Sequence, residues 1–144
     1  MPLHLQKLCV GVDTVEGLAD WLAADLKERE RLGMVVEDIH TTRMMPKRID
    51  DLLDGGSLYW VIRGVMQVRQ RLLDVRAIRD AEGVSRCELV LEPKLVRVEP
   101  LPRRPFQGWR YLEPASAPRD LGAGGDGGAL PTHLVRELRE LGLM

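Results

Sequence analysis

The chain has 144 residues, 44% of them hydrophobic and 30% charged, with a net charge of -1, the proportions of one soluble globular domain built on a single core. That balance excludes a strongly basic nucleic-acid-binding domain, and no apolar run nears the roughly 20 residues of a membrane-spanning helix. The opening Met1-Pro2-Leu3-His4-Leu5-Gln6-Lys7 lacks the charged head and long apolar middle of a signal peptide, so the cytoplasm is the expected location and no membrane partner is expected.

In chain order, residues 3–10 read as a first strand ending at Gly11. Asp13-Thr14-Val15-Glu16 fits a capping box, with the Asp13 carboxylate as the cap. Val15, Leu18, Ala19, Leu22, Ala23 and Leu26 recur at three- and four-residue intervals, which predicts an amphipathic helix over residues 14–32, stopped by Gly33. Residues 34–45 read as a second strand, and Pro46 opens a short helix that Gly55-Gly56 ends. The run Ser57-Leu58-Tyr59-Trp60-Val61-Ile62 reads as a central strand.

Residues 65–79 satisfy helical spacing, and they satisfy strand alternation if a bulge sits at Leu72-Leu73. The strand is preferred because residues 86–92 alternate cleanly and supply a hairpin partner across the turn Asp80-Ala81-Glu82-Gly83. Residues 95–99 read as a further strand, and from Pro100 the chain reads as loop. The body is expected to span residues 1–114. A flexible Gly/Pro/Ala-rich linker follows over 115–131, and a helix over 132–144 carries Leu134, Val135, Leu138 and Leu141 on one face. Strand–helix units followed by short strands predict an α+β fold: a small curled, mostly antiparallel sheet or barrel with an N-terminal amphipathic helix and a C-terminal docking helix.

Charge is uneven along the chain. Residues 1–56 carry a net -4, residues 57–112 a net +5 and residues 113–144 a net -2. The middle is therefore a modest footprint for an anionic partner. Cys9 and Cys87 belong to no ligand spacing and suit burial as small hydrophobes. His4, His40 and His133 form no cluster, so neither a metal nor a cofactor is expected. Nucleophile elbows, phosphate-binding loops and marked carboxylate pairs are absent as well, which leans against an enzyme.

What remains is a set of arginines and aromatics. The run Pro102-Arg103-Arg104-Pro105-Phe106-Gln107-Gly108-Trp109-Arg110-Tyr111 holds three of the six aromatic residues. With Tyr59, Arg63, Arg69 and Arg71 it gives a candidate site in which Arg63, Arg69, Arg71, Arg103, Arg104 and Arg110 grip phosphate. Tyr59, Trp109 and Tyr111 would stack on flat rings, and Gln107 would read a base edge. The competing reading makes the aromatics core and the whole run a clasp that closes the fold. A secondary candidate is His40 with Arg43, on the second strand, able to hold an anion or move a proton.

The stretches from Leu3-His4-Leu5 to Gly11-Val12-Asp13, Asp54-Gly55-Gly56-Ser57-Leu58-Tyr59-Trp60-Val61, Arg69-Gln70 and Pro102 to Leu112 together resemble an uncharacterised family of alphaproteobacterial proteins. That resemblance covers most of the chain and implies no catalytic residues. In architecture the strand-rich middle is also similar to PUA-like RNA-binding barrels, a likeness of style rather than motif. The leading expectation is a non-catalytic binding module for RNA or a nucleotide-like ligand. One alternative is an enzyme acting on a small anionic substrate in a cavity that gathers His40, Arg43 and Tyr59. The other is an adaptor that holds a protein partner through the C-terminal helix.

Overall fold

The structure, a computed structural model, describes residues 2–121. Among these residues seven strands and two α-helices follow one another as β1 (His4–Leu8), α1 (Val15–Arg31), β2 (Asp38–Thr42), α2 (Ile49–Leu53), β3 (Ser57–Ile62), β4 (Val65–Arg79), β5 (Ser85–Leu91), β6 (Val96–Pro102) and β7 (Trp109–Leu112), with a single 3-10 turn at Pro114–Ser116. The strand order is β2-β5-β4-β3-β1-β7, with β6 also paired to β4. Among the described residues no helix is long and apolar enough to cross a membrane.

This architecture corrects the expected fold class. The curled, mostly antiparallel sheet or barrel is instead an open, mixed, seven-strand sheet that dominates the molecule. Closure would need β7 to meet the far edge. Instead β1 lies parallel to β3 and takes β7 as its outer, antiparallel neighbour, while α1 and α2 fill one face. The expected C-terminal docking helix and most of the linker lie outside the described residues.

β4 is the spine of the sheet. Its first half pairs with β3 on one side and β6 on the other, and its second half pairs with β5. The register against β5 slips between Leu72 and Asp74, so Leu73 is the extra residue of a bulge and is exposed, as the alternation requires. A second slip lies opposite Gln67: Trp60 pairs with Val68, and Val61 with Met66. This puts Val68 in the cluster beneath the helices and Met66 in the cluster on the opposite face. Strict alternation would have put both on one side.

Both faces of β3 are thus buried. Leu58, Trp60 and Ile62 pack with Leu3, Leu5, Val15, Leu18 and Leu52. Tyr59 and Val61 pack on the other side with Val98 and Leu112, and Phe106 and Ala117 lie against them.

Several local expectations shift. The cap of α1 is Thr14, whose hydroxyl accepts from the Gly17 N–H at 2.9 Å, in place of Asp13. The second strand is shorter than expected, at Asp38–Thr42. Trp109–Leu112, expected as loop, is an edge strand, because β1 offers it a free ladder of backbone groups. Residues 119–121 bind back along β6 through backbone hydrogen bonds from Glu99 N to Arg119 O and from Leu121 N to Arg97 O.

Candidate functional site

The end of β1, the first turns of α1 and strand β2 enclose a cavity of about 360 Å³, within the range of small-molecule sites. Its walls include Lys7, Cys9, Leu18, Trp21, His40 and Trp60. Alternation along β1 turns Lys7 and Cys9 to the helix-covered face. The His40 ring meets Trp60 edge-on at 4.7 Å between centroids and lies tilted to Trp21 at 5.6 Å. Trp60 is buried, whereas Trp21 is 45% exposed and forms an accessible wall.

Behind the imidazole runs a buried polar chain. The Trp60 Nε1–H donates to Gln70 Oε1 at 2.8 Å. Gln70 Nε2 donates to Asp38 Oδ2 at 2.6 Å and to the Glu92 carbonyl at 3.1 Å. Asp38, only 1% exposed, brings Oδ1 to 3.0 Å from His40 Nε2. The two atoms are close but off the direction of a hydrogen bond, so both are buried without a formed one. Beside them, burial pushes the Cys9 thiol up to about 11, ahead of the opposing pull of Lys7. It therefore stays protonated at neutral pH and serves as an apolar contact rather than a nucleophile. No cluster of three or more metal-ligating side chains occurs among the described residues.

The sequence-predicted residues are divided among separate places. His40 lines this cavity, Arg43 lines a groove with Arg79 and Arg86, and Tyr59 lies across the sheet from Trp60. His40, Arg43 and Tyr59 therefore do not form the single cavity that the enzyme alternative requires.

Tyr59 and Arg69 do meet, in a shallow cavity of about 430 Å³ with His4 and Asp120. There Arg69 is already held by Asp120 through two hydrogen bonds of 2.7 Å and also donates to Ser57 Oγ at 3.0 Å. His4 Nδ1 accepts the Ser57 N–H at 3.0 Å, and burial, followed by the Arg69 charge, lowers its pKa. Burial raises the pKa of the Tyr59 hydroxyl.

Trp109 and Tyr111 act as a clasp. The Trp109 indole donates to the Met44 carbonyl at 2.7 Å, and the Tyr111 hydroxyl accepts from the Lys47 and Arg48 N–H groups at 2.8 and 3.2 Å. Arg110 sits 5.9 Å over the Phe106 ring, with Gln107 exposed beside it. Arg71 is exposed further along β4, in register with Ser57. Arg63 and Arg103 come together at the β3–β4 turn, where Arg103 N donates to the Gly64 carbonyl at 2.8 Å, with Arg104 next in chain.

Sequence reasoning singled out His40 and missed Lys7, Trp21, Asp38, Trp60 and Gln70 as its neighbours. One local signal was present: Asp38 and His40 are two apart on a strand and so share a face. Lys7 is brought in by the parallel placement of β1, Trp21 by the packing of α1, and Trp60 and Gln70 by the pairing of β3 with β4.

No curated protein and no solved structure matches the chain. The model of the family described as "Protein of unknown function (DUF1489)" matches residues 5–144, and the chain belongs to that family.

Proposed function

We propose that this protein binds a small anionic ligand carrying a flat ring, the chemical class that includes nucleotides, in the cavity beside His40. The observation that carries the reading is the imidazole between two indoles with a buried carboxylate behind it. Burying a carboxylate such as Asp38 costs several kcal/mol unless it is well paired. A wall that only had to fill space would be better served by an aliphatic side chain. The arrangement sets His40 against Trp60 with the Asp38 carboxylate behind it and leaves Trp21 free to stack on a ring, while Lys7 supplies a cation for the ligand's charge.

RNA running along the whole arginine set is the weaker reading. Arg69 is committed to Asp120, and Trp109 and Tyr111 are committed to residues 44–48.

Titrating the protein with nucleosides, nucleotides and aromatic carboxylates while following tryptophan fluorescence tests the proposal. A saturable change that is lost in Trp21→Phe, with affinity reduced about tenfold or more in Lys7→Met and His40→Ala, is expected. Absence of any saturable change across these ligands overturns it.

A further inference from the structure

The hairpin between β3 and β4 turns on Arg63 and Gly64, with φ of 52° and 78°. Positive φ at both central residues defines the type I′ turn, whose first position favours Asn, Asp or Gly because a larger side chain is strained there. Arg63 is the one non-glycine with positive φ among the described residues. Arg63 thus holds a strained conformation that asparagine fits better, the kind of outlier that clusters at ligand clamps.

A second observation converges on the same tip. The backbone N–H of Arg103 is tied to the Gly64 carbonyl, which sets Arg103 and Arg104 beside Arg63, and the Arg103 Nε is buried with no hydrogen-bond partner. Among the described residues the ion pairs belong to Arg29, Arg31, His40, Arg48, Arg69, Arg76 and Arg86. Arg63, Arg103 and Arg104 take no carboxylate there, while Arg69, with Asp120 within reach, does.

The tip also lies at the cavity's end of the sheet. The Cys9 N–H donates to the Val61 carbonyl at 2.9 Å, and Cys9, Val10 and Gly11 edge the His40 cavity. Arg63 is two residues past Val61, roughly 7 Å along an extended chain. The tip therefore lies just past the end of β3 that the cavity adjoins.

We infer that Arg63, Arg103 and Arg104 form a phosphate subsite, and that the ligand is a flat ring bearing a phosphate ester, held at both ends. Guanidinium forks match phosphate oxygens in pairs, and three unpaired ones answer the charge of such a tail. The inference rests on the cavity reading for the ring and adds the phosphate.

The test compares the common ribonucleosides with their 5′-monophosphates and 5′-triphosphates, and with inorganic phosphate, by calorimetry on the full chain. The proteins are the wild type and the double variant Arg63→Asn/Arg103→Gln. Asparagine suits the type I′ turn and glutamine keeps the backbone N–H, so the variant is expected to fold, with a melting temperature that confirms it. At least one phosphorylated compound should bind roughly tenfold more tightly than its nucleoside. The double variant should lose that advantage and keep the nucleoside affinity. Equal binding of nucleoside and nucleotide overturns the phosphate subsite and leaves the cavity reading standing. A phosphate advantage that survives in the double variant also overturns it. If no compound binds, the phosphate subsite falls, and the cavity reading falls with it only if the aromatic carboxylates also fail to bind.

Discussion

Gln70 accepts the indole N–H of Trp60 at 2.8 Å, and its own amide joins that indole to the Asp38 carboxylate. A strand residue with no exposed surface thereby ties β4 to β2 and holds one wall of the cavity. Carboxamide is the group that can do both, since it offers an acceptor to the indole and donors to the carboxylate and to the Glu92 carbonyl.

Replacing Gln70 by Glu keeps the acceptor and puts a second carboxylate against Asp38. Two carboxylates at this separation cannot both ionise, so the folded state holds a proton above the ordinary range of about 4.3 for Glu. A folded-state pKa raised in this way gives stability that is present below the unfolded value and lost as pH rises. The variant is expected to lose about 3–5 kcal/mol at neutral pH and to regain part of it as the pH is lowered toward 4.5 or so. Gln70→Leu should lose about 1–3 kcal/mol with no such recovery. Urea unfolding across the pH range separates the two, and a flat profile for Gln70→Glu would show that the oxygens do not meet.

His4 gives the opposite sign. Its pKa lies below the ordinary 6.5, from burial first and the Arg69 charge second. The unfolded chain therefore takes up the proton first on acidification, and the stability contributed above 6.5 is lost as pH falls through and below that value. His4→Asn places an amide oxygen near the position of Nδ1, so it should retain the Ser57 N–H bond and flatten this acid limb. His4→Phe should cost about 1–3 kcal/mol at neutral pH by leaving that N–H unpaired. Denaturation curves at a neutral and a mildly acidic pH test both.

At Gly56 a Cβ would lie 2.1 Å from the Leu3 carbonyl oxygen and 2.3 Å from that of Leu52. Both are backbone atoms that cannot rotate away. Gly56→Ala should therefore be destabilised by more than the roughly 1 kcal/mol typical of a point substitution, and fail to accumulate as folded protein. At Gly83 φ is 79° and no atom lies within 4 Å of the added carbon, so Gly83→Ala should cost only about 1 kcal/mol of backbone strain. Comparable melting temperatures for the two would contradict this packing.

Tyr111→Phe separates the clasp from a stacking role. Losing an acceptor for two N–H groups at the surface should cost about 1 kcal/mol and leave ligand affinity unchanged. If affinity falls and stability does not, Tyr111 belongs to the binding surface.

The helix at Val15–Arg31 was legible because its apolar spacing and a nearby cap act within the segment. The bulge at Leu73 was legible for the same reason: only one extra residue reconciles the alternation on its two sides. The strand at Trp109–Leu112 was not, since four residues rich in aromatics take a strand's shape only when a neighbour offers its edge. The second bulge, at Gln67, was also hidden, because Met66 and Val68 are both apolar and fit the core from either face.

The candidate site divides in the same way. The arginine and aromatic run near residue 106 was visible as composition, and its sequence left open whether it grips a ligand or closes the fold. Packing assigned Trp109 and Tyr111 to closure by giving their polar tips backbone partners. It also committed Arg69 to Asp120, 51 residues away, and left Arg63, Arg103 and Arg104 without carboxylates among the described residues. By itself the sequence determined where helix α1 and the hairpin of β4 with β5 form, since these depend on neighbours within a few positions. The width of the sheet, its open edge and the meeting of Asp38, His40, Trp60 and Gln70 were decided only by tertiary structure. Strand order and register are set by which buried faces fit together across the whole chain.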